Sequence, residues 1–186
     1  MEAFGLWEGT ALLWIQENLR GFLDPLVCLY TKLGDSGLIW IALCAVLLLF
    51  PKTRRAGLAG ALGLVLSLLC TNILIKPLVA RTRPWLLLEG LAPLVVEKDP
   101  HSFPSGHSSA AFACAMALWG TLPKKWGRIA LVCAALMALS RLYVGVHFPS
   151  DVLCGSLVGL FCGWCACRLV ELWENDRDEK KGDFHM

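Results

Sequence analysis

Three separated fragments of this chain hold the residue types that phosphate cleavage requires. Lys76 precedes Arg83-Pro84, then comes Pro104-Ser105-Gly106-His107, and finally Ser140-Arg141 followed by His147 and Asp151. The cations can neutralise phosphoryl oxygens, the imidazoles can attack phosphorus or move protons, and a carboxylate can orient an imidazole. Each fragment sits at the edge of a long apolar run. A charge inside a membrane span costs roughly 2.5–3.5 kcal/mol on insertion scales, so such a residue is a functional candidate by default. The expectation is chemistry on a phosphate at a membrane surface.

Every fragment also has a plainer reading. Lys76 ends an apolar run and can simply snorkel. Arg83 weighs against that, because guanidinium grips phosphate bidentately and Pro84 stiffens the chain beside it. Pro104 suits a helix start, Gly106 permits close backbone approach, and the free N–H groups of that start attract an anion. Ser105 taken alone reads as a helix cap, whereas His107 is harder to explain that way. Arg141 within an apolar run needs an anionic partner. Pro149 is expected to start the last helix with Asp151 in its first turn, which leaves a catalytic pair and a structural His147–Asp151 contact both open.

The elements that must position these residues are membrane helices. Of the 186 residues, 56% are apolar and 17% charged, against about a quarter charged in soluble domains. The net charge of +2, without a basic stripe interleaved with aromatics, excludes a nucleic-acid binder. Segments 36–50, 57–76, 107–122, 128–145 and 152–170 read as spans, the first and third being short of the roughly 17–25 residues a crossing takes. Residues 4–31 mix Trp7, Leu12, Leu13 and Trp14 with Glu8, Gln16, Glu17 and Arg20, a pattern that suits an interfacial helix, with a sixth crossing left open. The fold expected is therefore an all-α integral membrane bundle of about five or six transmembrane helices, one domain over 1–186, with an amphipathic N-terminal region over 1–35.

Lys52, Arg54, Arg55, then Lys124, Lys125, Arg128, then Arg168, Arg177, Lys180 and Lys181 mark one face as cytoplasmic. The three fragments then fall on the outer face, together with Arg81, Arg83 and Lys98, a departure from the charge rule that phosphate binding would explain. The tail 174–186 mixes charges without an apolar pattern and is expected to be solvated, unordered and cytoplasmic. No cleavable signal is expected, because the first residues lack a positive n-region. Eight of the nine cysteines lie in apolar runs. Cys162-Gly-Trp-Cys165 reads as packing rather than a redox or metal pair, and acylation of Cys167 is the alternative considered near the end of that span.

Lys76-x6-Arg83-Pro84, Pro104-Ser105-Gly106-His107 and Ser140-Arg141-x5-His147-x3-Asp151 together resemble the three-part signature of the type-2 phosphatidic acid phosphatase superfamily. The resemblance covers residues 76–151 at every signature position and is specific; the small size resembles its bacterial integral-membrane branch, phosphatidylglycerophosphatases and undecaprenyl-diphosphatases among them. It implies that His147 attacks phosphorus to form a phosphohistidine, that Asp151 orients it, and that His107 protonates the leaving oxygen and then activates water. Lys76, Arg83, Ser105, Gly106 and Arg141 would hold the phosphoryl oxygens, with no metal and no other cofactor.

The substrates implied are lipid phosphates or diphosphates: an isoprenyl diphosphate, phosphatidylglycerophosphate or phosphatidate. The location implied is the bacterial cytoplasmic membrane, with the site facing outside. Two other classes share part of this pattern: a phosphotransferase passing the phosphoryl group to a lipid or sugar acceptor, and a non-catalytic lipid binder, which would not need both histidines. Trp85 and Leu86-Leu87-Leu88 could line a lipid entrance or anchor the interface. His101 and Lys98 are expected to be solvated loop residues unless they meet a head group.

Overall fold

The computed structural model describes residues 2–183 and is almost wholly helical. Helices α1 (Glu2–Leu19), α2 (Asp24–Leu33), α3 (Leu38–Leu49) and α4 (Arg54–Leu68) form the first half. A π-helical stretch, Leu69–Ile75, joins α4 to the short α5 (Lys76–Val79); α6 (Gly106–Thr121), α7 (Lys124–Tyr143) and α8 (Pro149–Asp183) complete the bundle. Among the described residues there is no strand, only an isolated antiparallel bridge between Thr82 and His101.

Three of these segments are long and apolar enough to cross a bilayer: Arg54–Val79, Lys124–Tyr143 and Pro149–Lys180. Helices α2 and α3 qualify as a fourth if taken together, bent by 49° at their junction. The sequence suits an interfacial helix over residues 4–31 with a sixth crossing left open, and α2 begins in that stretch. At 16 residues, α6 falls just short of the roughly 17–25 that a lone span needs. Its position accounts for this: Ala111, Ala113, Cys114, Ala115 and Ala117 are fully buried among α4, α7 and α8, so α6 lies at the centre of the bundle.

Backbone contact fixes α8 on α6. Glycines 155, 159 and 163 recur at one-turn spacing, and a Cβ on any of them would lie 2.3–2.5 Å from the carbonyl of Ser105, Ser109 or Ala113. Small residues at such spacing let membrane helices touch backbone to backbone. The opposite face of α8 carries exposed Leu153, Leu157, Phe161 and Trp164, the apolar surface lipid requires. A buried polar patch ties α4 to α6: the Ser109 hydroxyl meets Ser67 at 2.6 Å and Thr71 at 2.8 Å. Thr71 lies in the π-helical stretch, a local widening often found beside functional sites, and Lys76 follows it directly.

Two regions depart from the reading of the sequence. Residues 174–183 continue α8 as helix rather than as an unordered tail; Lys180 and Asp176 form an i,i+4 ion pair of 2.7 Å there, the kind that supports exposed helix. In α1, Glu8 does not face the surface with the other polar residues. It is fully buried, next to Leu12 at 1% exposure, and Gly9 lets the helix press against Leu88. The cysteines are all free, Cys162 is buried, and Cys167 turns inward to the Ala117 carbonyl at 3.6 Å.

Candidate active site

Helix ends and the segment between α5 and α6 converge to build the site. The α4–α5 segment ends with Ala80 in the left-handed conformation (φ 47°), which turns the chain into the extended stretch 81–83. That stretch pairs with 99–102 through the Thr82–His101 bridge and the Ser102 amide, which donates to the Arg81 carbonyl at 2.7 Å. The two sides of this short pairing carry Arg83 and Asp99. Arg83 Nε donates to the Asp99 carbonyl at 2.8 Å, while Lys76 Nζ donates to the Asp99 carboxylate at 2.8 Å. The first fragment is thus held together by the loop that precedes the second.

Ser105 caps α6, accepting from the Ser108 amide at 3.4 Å and the Ser108 hydroxyl at 3.0 Å. This is the plainer reading of that serine, and its own amide donates to the Asp151 carbonyl at 3.0 Å. The glycine contact between α8 and α6 thereby places the second and third fragments side by side. Gly106 lies tight against Asn72, where a Cβ would approach the amide oxygen to 3.1 Å. His107 reaches the bend between α2 and α3: its Nε2 lies 3.0 Å from the Asp35 carboxylate. Gly34 makes room for that ring, since a Cβ there would meet His107 Cδ2 at 3.0 Å and Met137 Cε at 2.7 Å.

In the third fragment Arg141 is fully buried at the end of α7. It donates to the Thr31 hydroxyl and to the Glu97 carboxylate. The second oxygen of Glu97 lies 3.7 Å from Arg83, so one carboxylate spans two guanidinium groups. His147, 2% exposed, lies in the loop before α8. Arg83 approaches its Nε2 at 3.2 Å; a guanidinium only donates, so Nε2 must accept. Nδ1 then carries the proton and faces Asp151 Oδ2 at 3.5 Å, longer than a hydrogen bond. Such contacts are commonly long before substrate binds. Burial first, and the charge of Arg83 next, hold the His147 imidazolium well below its ordinary pKa, so the ring is neutral. Burial likewise lowers the pKa of Arg83.

Asp151 is fully buried and fully engaged. Oδ2 accepts from the Phe148 amide at 2.8 Å and Oδ1 from Arg81 at 2.8 Å. Arg81 also donates to Glu8 at 2.7 Å. Lys76, Arg83, Ser105, Arg141, His147 and Asp151 are therefore joined in one network of hydrogen bonds and ion pairs, while His107 pairs separately with Asp35 and Gly106 packs on Asn72. What the sequence does not single out is the set of carboxylates around them: Glu97 and Asp99 on the cations, Asp35 on His107, and Glu8 behind Asp151. A charge inside an apolar helix was the one available signal for Glu8; the loop acids carry none. Trp85 stacks near Arg83, with the guanidinium 5.4 Å from the ring centre, while Leu86 and Leu87 are exposed. His101 sits 3.6 Å from Asp99. Among the described residues no group of three or more His, Cys, Asp or Glu is arranged to hold a metal ion.

A membrane-helix bundle with paired cations and two histidines at its helix ends defines a class that known proteins share. The PAP2 superfamily pattern matches residues 56–174, and this chain belongs to that superfamily. The undecaprenyl-diphosphatase of Sulfolobus acidocaldarius is 30% identical over 155 residues, which cover 83% of this chain and 74% of that protein. The crystal structure of Aquifex aeolicus LpxE superposes with a TM-score of 0.75 at 30% identity, covering 84% of this chain and 92% of the other. That of a transmembrane PAP2-type phosphatidylglycerolphosphate phosphatase from Bacillus subtilis gives 0.74 at 30% identity, covering 95% and 88%.

Proposed function

We propose that this PAP2-superfamily membrane lipid phosphatase cleaves a lipid phosphate or diphosphate by covalent catalysis on His147. The observation that carries the reading is a buried imidazole with Arg83 3.2 Å from Nε2 and Asp151 facing Nδ1, an arrangement that puts the lone pair on Nε2. Nε2 would attack phosphorus, forming an N–P bond as the bond from phosphorus to the leaving oxygen breaks. His107 would give that oxygen its proton. Water would then attack the phosphohistidine, lose its proton to His107 and release phosphate with His147 restored.

Arg83 and Arg141 would take the phosphoryl oxygens in place of Glu97, which bridges them in the resting site, and Lys76 would add a third charge. Cations aimed at developing charge supply the stabilisation such a transition state needs. A lipid substrate fits a site at helix ends, because the acyl or isoprenyl tail stays among the helices. The outer face of a bacterial cytoplasmic membrane is the proposed location. Basic clusters at the far ends of α4, α7 and α8 support that orientation, and the bacterial sources of two solved relatives support the cell type.

The test is phosphate release by purified protein from a panel of isoprenyl diphosphates, phosphatidate and phosphatidylglycerophosphate in detergent. A rapid-quench trial with phosphorus-labelled substrate accompanies it. Wild type should turn over at least one of these in excess chelator and yield acid-labile label on protein. His147→Ala should remain folded, lose turnover by more than about a thousandfold and carry no label. Full activity in His147→Ala would remove histidine covalency, and strict dependence on added divalent metal would remove the all-cation site.

A further inference from the structure

Glu8 is costly to explain as packing. It lies on α1, outside the matched family region, and its carboxylate is fully buried. A carboxylate taken out of water loses several kcal/mol unless partners replace its hydration (roughly, for real proteins). Here both oxygens are engaged. Oε2 accepts from Arg81 Nη2 at 2.7 Å and Oε1 from the Ser150 amide at 2.7 Å.

Those two partners lead to the same place. Ser150 is the second residue of α8, one of the free amides of a helix start, and the next residue is Asp151. Arg81 turns its other nitrogen to Asp151 Oδ1 at 2.8 Å and to the Ser150 hydroxyl at 2.7 Å, with its guanidinium 4.0 Å from the centre of the Phe148 ring. One guanidinium thus links two fully buried carboxylates. Arg81 thus holds Oδ1 of Asp151, while Oδ2, which accepts from the Phe148 amide, is the oxygen that faces His147.

Docking α1 does not require this arrangement. Gln16 exchanges hydrogen bonds with the Gly90 carbonyl and the Ala92 amide, both 2.8 Å, and Arg20 donates to the Tyr143 carbonyl at 2.9 Å. Those contacts and Leu12 seat the helix without a buried charge. We infer that Glu8 is a positioning residue for the reaction, acting through Arg81 and the Ser150 amide to set Asp151 against His147. The inference rests on His147 being the nucleophile. It makes the N-terminal helix part of the catalytic apparatus rather than a surface anchor.

The test uses full-length protein in detergent with a short-chain phosphatidate or isoprenyl diphosphate that wild type turns over. Glu8→Gln cannot accept from both donors, because one end of the amide donates. It should lower kcat by about tenfold to a hundredfold, the range for losing a group that orients a working imidazole. KM and the vanadate inhibition constant should stay within about twofold, since Arg83, Arg141 and Lys76 are untouched. In an Arg81→Gln background the same change should cost clearly less than in wild type, because the route through Arg81 is already broken and only the Ser150 amide still joins Glu8 to the start of α8.

Glu8→Asp keeps the buried charge but is one methylene short of spanning both donors. It provides the same kcat readout where Glu8→Gln does not fold. Wild-type kcat in either folded variant, or losses that multiply in the double variant, would overturn the inference. Either result would leave the His147 assignment standing, which the label on His147 tests separately.

Discussion

Two groups of carboxylates surround the same cations and histidines, and they are held in different ways. Glu97, Asp99 and Asp35 come from loops and bends, with side chains 19%, 41% and 56% exposed. Glu8 and Asp151 come from helices, are fully buried, and have both oxygens hydrogen-bonded. The first group sits on the groups proposed to meet substrate: Arg83, Arg141, Lys76 and His107. The second sits behind the imidazole. Exposure decides the consequence, because water and a phosphate can compete for a partly solvated ion pair but cannot reach a buried, saturated one. On the proposed mechanism the loop acids would be exchangeable placeholders for phosphate and the helix acids fixed scaffold.

The largest expected effect breaks the fixed side. Asp151→Asn offers one oxygen to two donors, the Phe148 amide and Arg81, and no longer presents a carboxylate charge to the Nδ1 side of His147. We expect kcat to fall on the order of a thousandfold with little change in KM, as when an amide replaces the carboxylate behind a catalytic histidine. The pH profile sharpens the point. His147 is held below its ordinary value of 6.5 by burial and by Arg83, Arg141, Lys76 and His107 around it. Its neutral, nucleophilic form therefore persists as pH falls through 6.5, and the acid limb of kcat/KM should lie well below that value. An acid limb at 6.5 in wild type would show an unburied, unperturbed imidazole.

The same contrast explains what could be read from the sequence. Lys76, Arg83, His107, Arg141, His147 and Asp151 were legible because the chemistry needs fixed residue types at helix ends, and helix ends are visible as boundaries of apolar runs. The helical class was legible for the same reason. The partners were not. Glu8 meets Ser150 across 142 residues and Arg141 meets Glu97 across 44, and no local pattern encodes such pairs. The glycine row 155, 159, 163 on α8 was available as a signal for close helix contact, since small residues one turn apart mark it. The length of α6 misleads when read alone, because its burial depends on three other helices.

A smaller effect, of opposite sign, belongs to the exchangeable side. Glu97→Gln removes the negative charge between Arg83 and Arg141 and leaves both free for phosphate. Product phosphate and vanadate should bind about threefold to tenfold tighter, corresponding to roughly 0.7–1.4 kcal/mol. Inhibition constants measured at low and high salt check this. The gain should shrink as salt rises, because the pair is partly solvated. Weaker vanadate binding in Glu97→Gln would mean that the carboxylate organises the cations instead of standing in for the anion.

Asp99 should give the smallest change, and one that appears in stability before activity. Burial opposes its ionised form, but the hydrogen bond and charge of Lys76, the His101 amide and Arg83 outweigh it and lower its pKa below the ordinary 3.8. A carboxylate with a depressed folded-state pKa stabilises the fold above its unfolded value, and that contribution disappears as pH falls through the folded one. The wild-type Tm should therefore drop more steeply than that of Asp99→Asn below about pH 4, starting near the ordinary carboxylate value. With the side chain 41% exposed, the difference should amount to less than about 1 kcal/mol at neutral pH. Thermal melts in detergent across that window would measure it. A large loss of stability in Asp99→Asn at pH 7 would move Asp99 out of the exchangeable group and into the scaffold with Glu8 and Asp151.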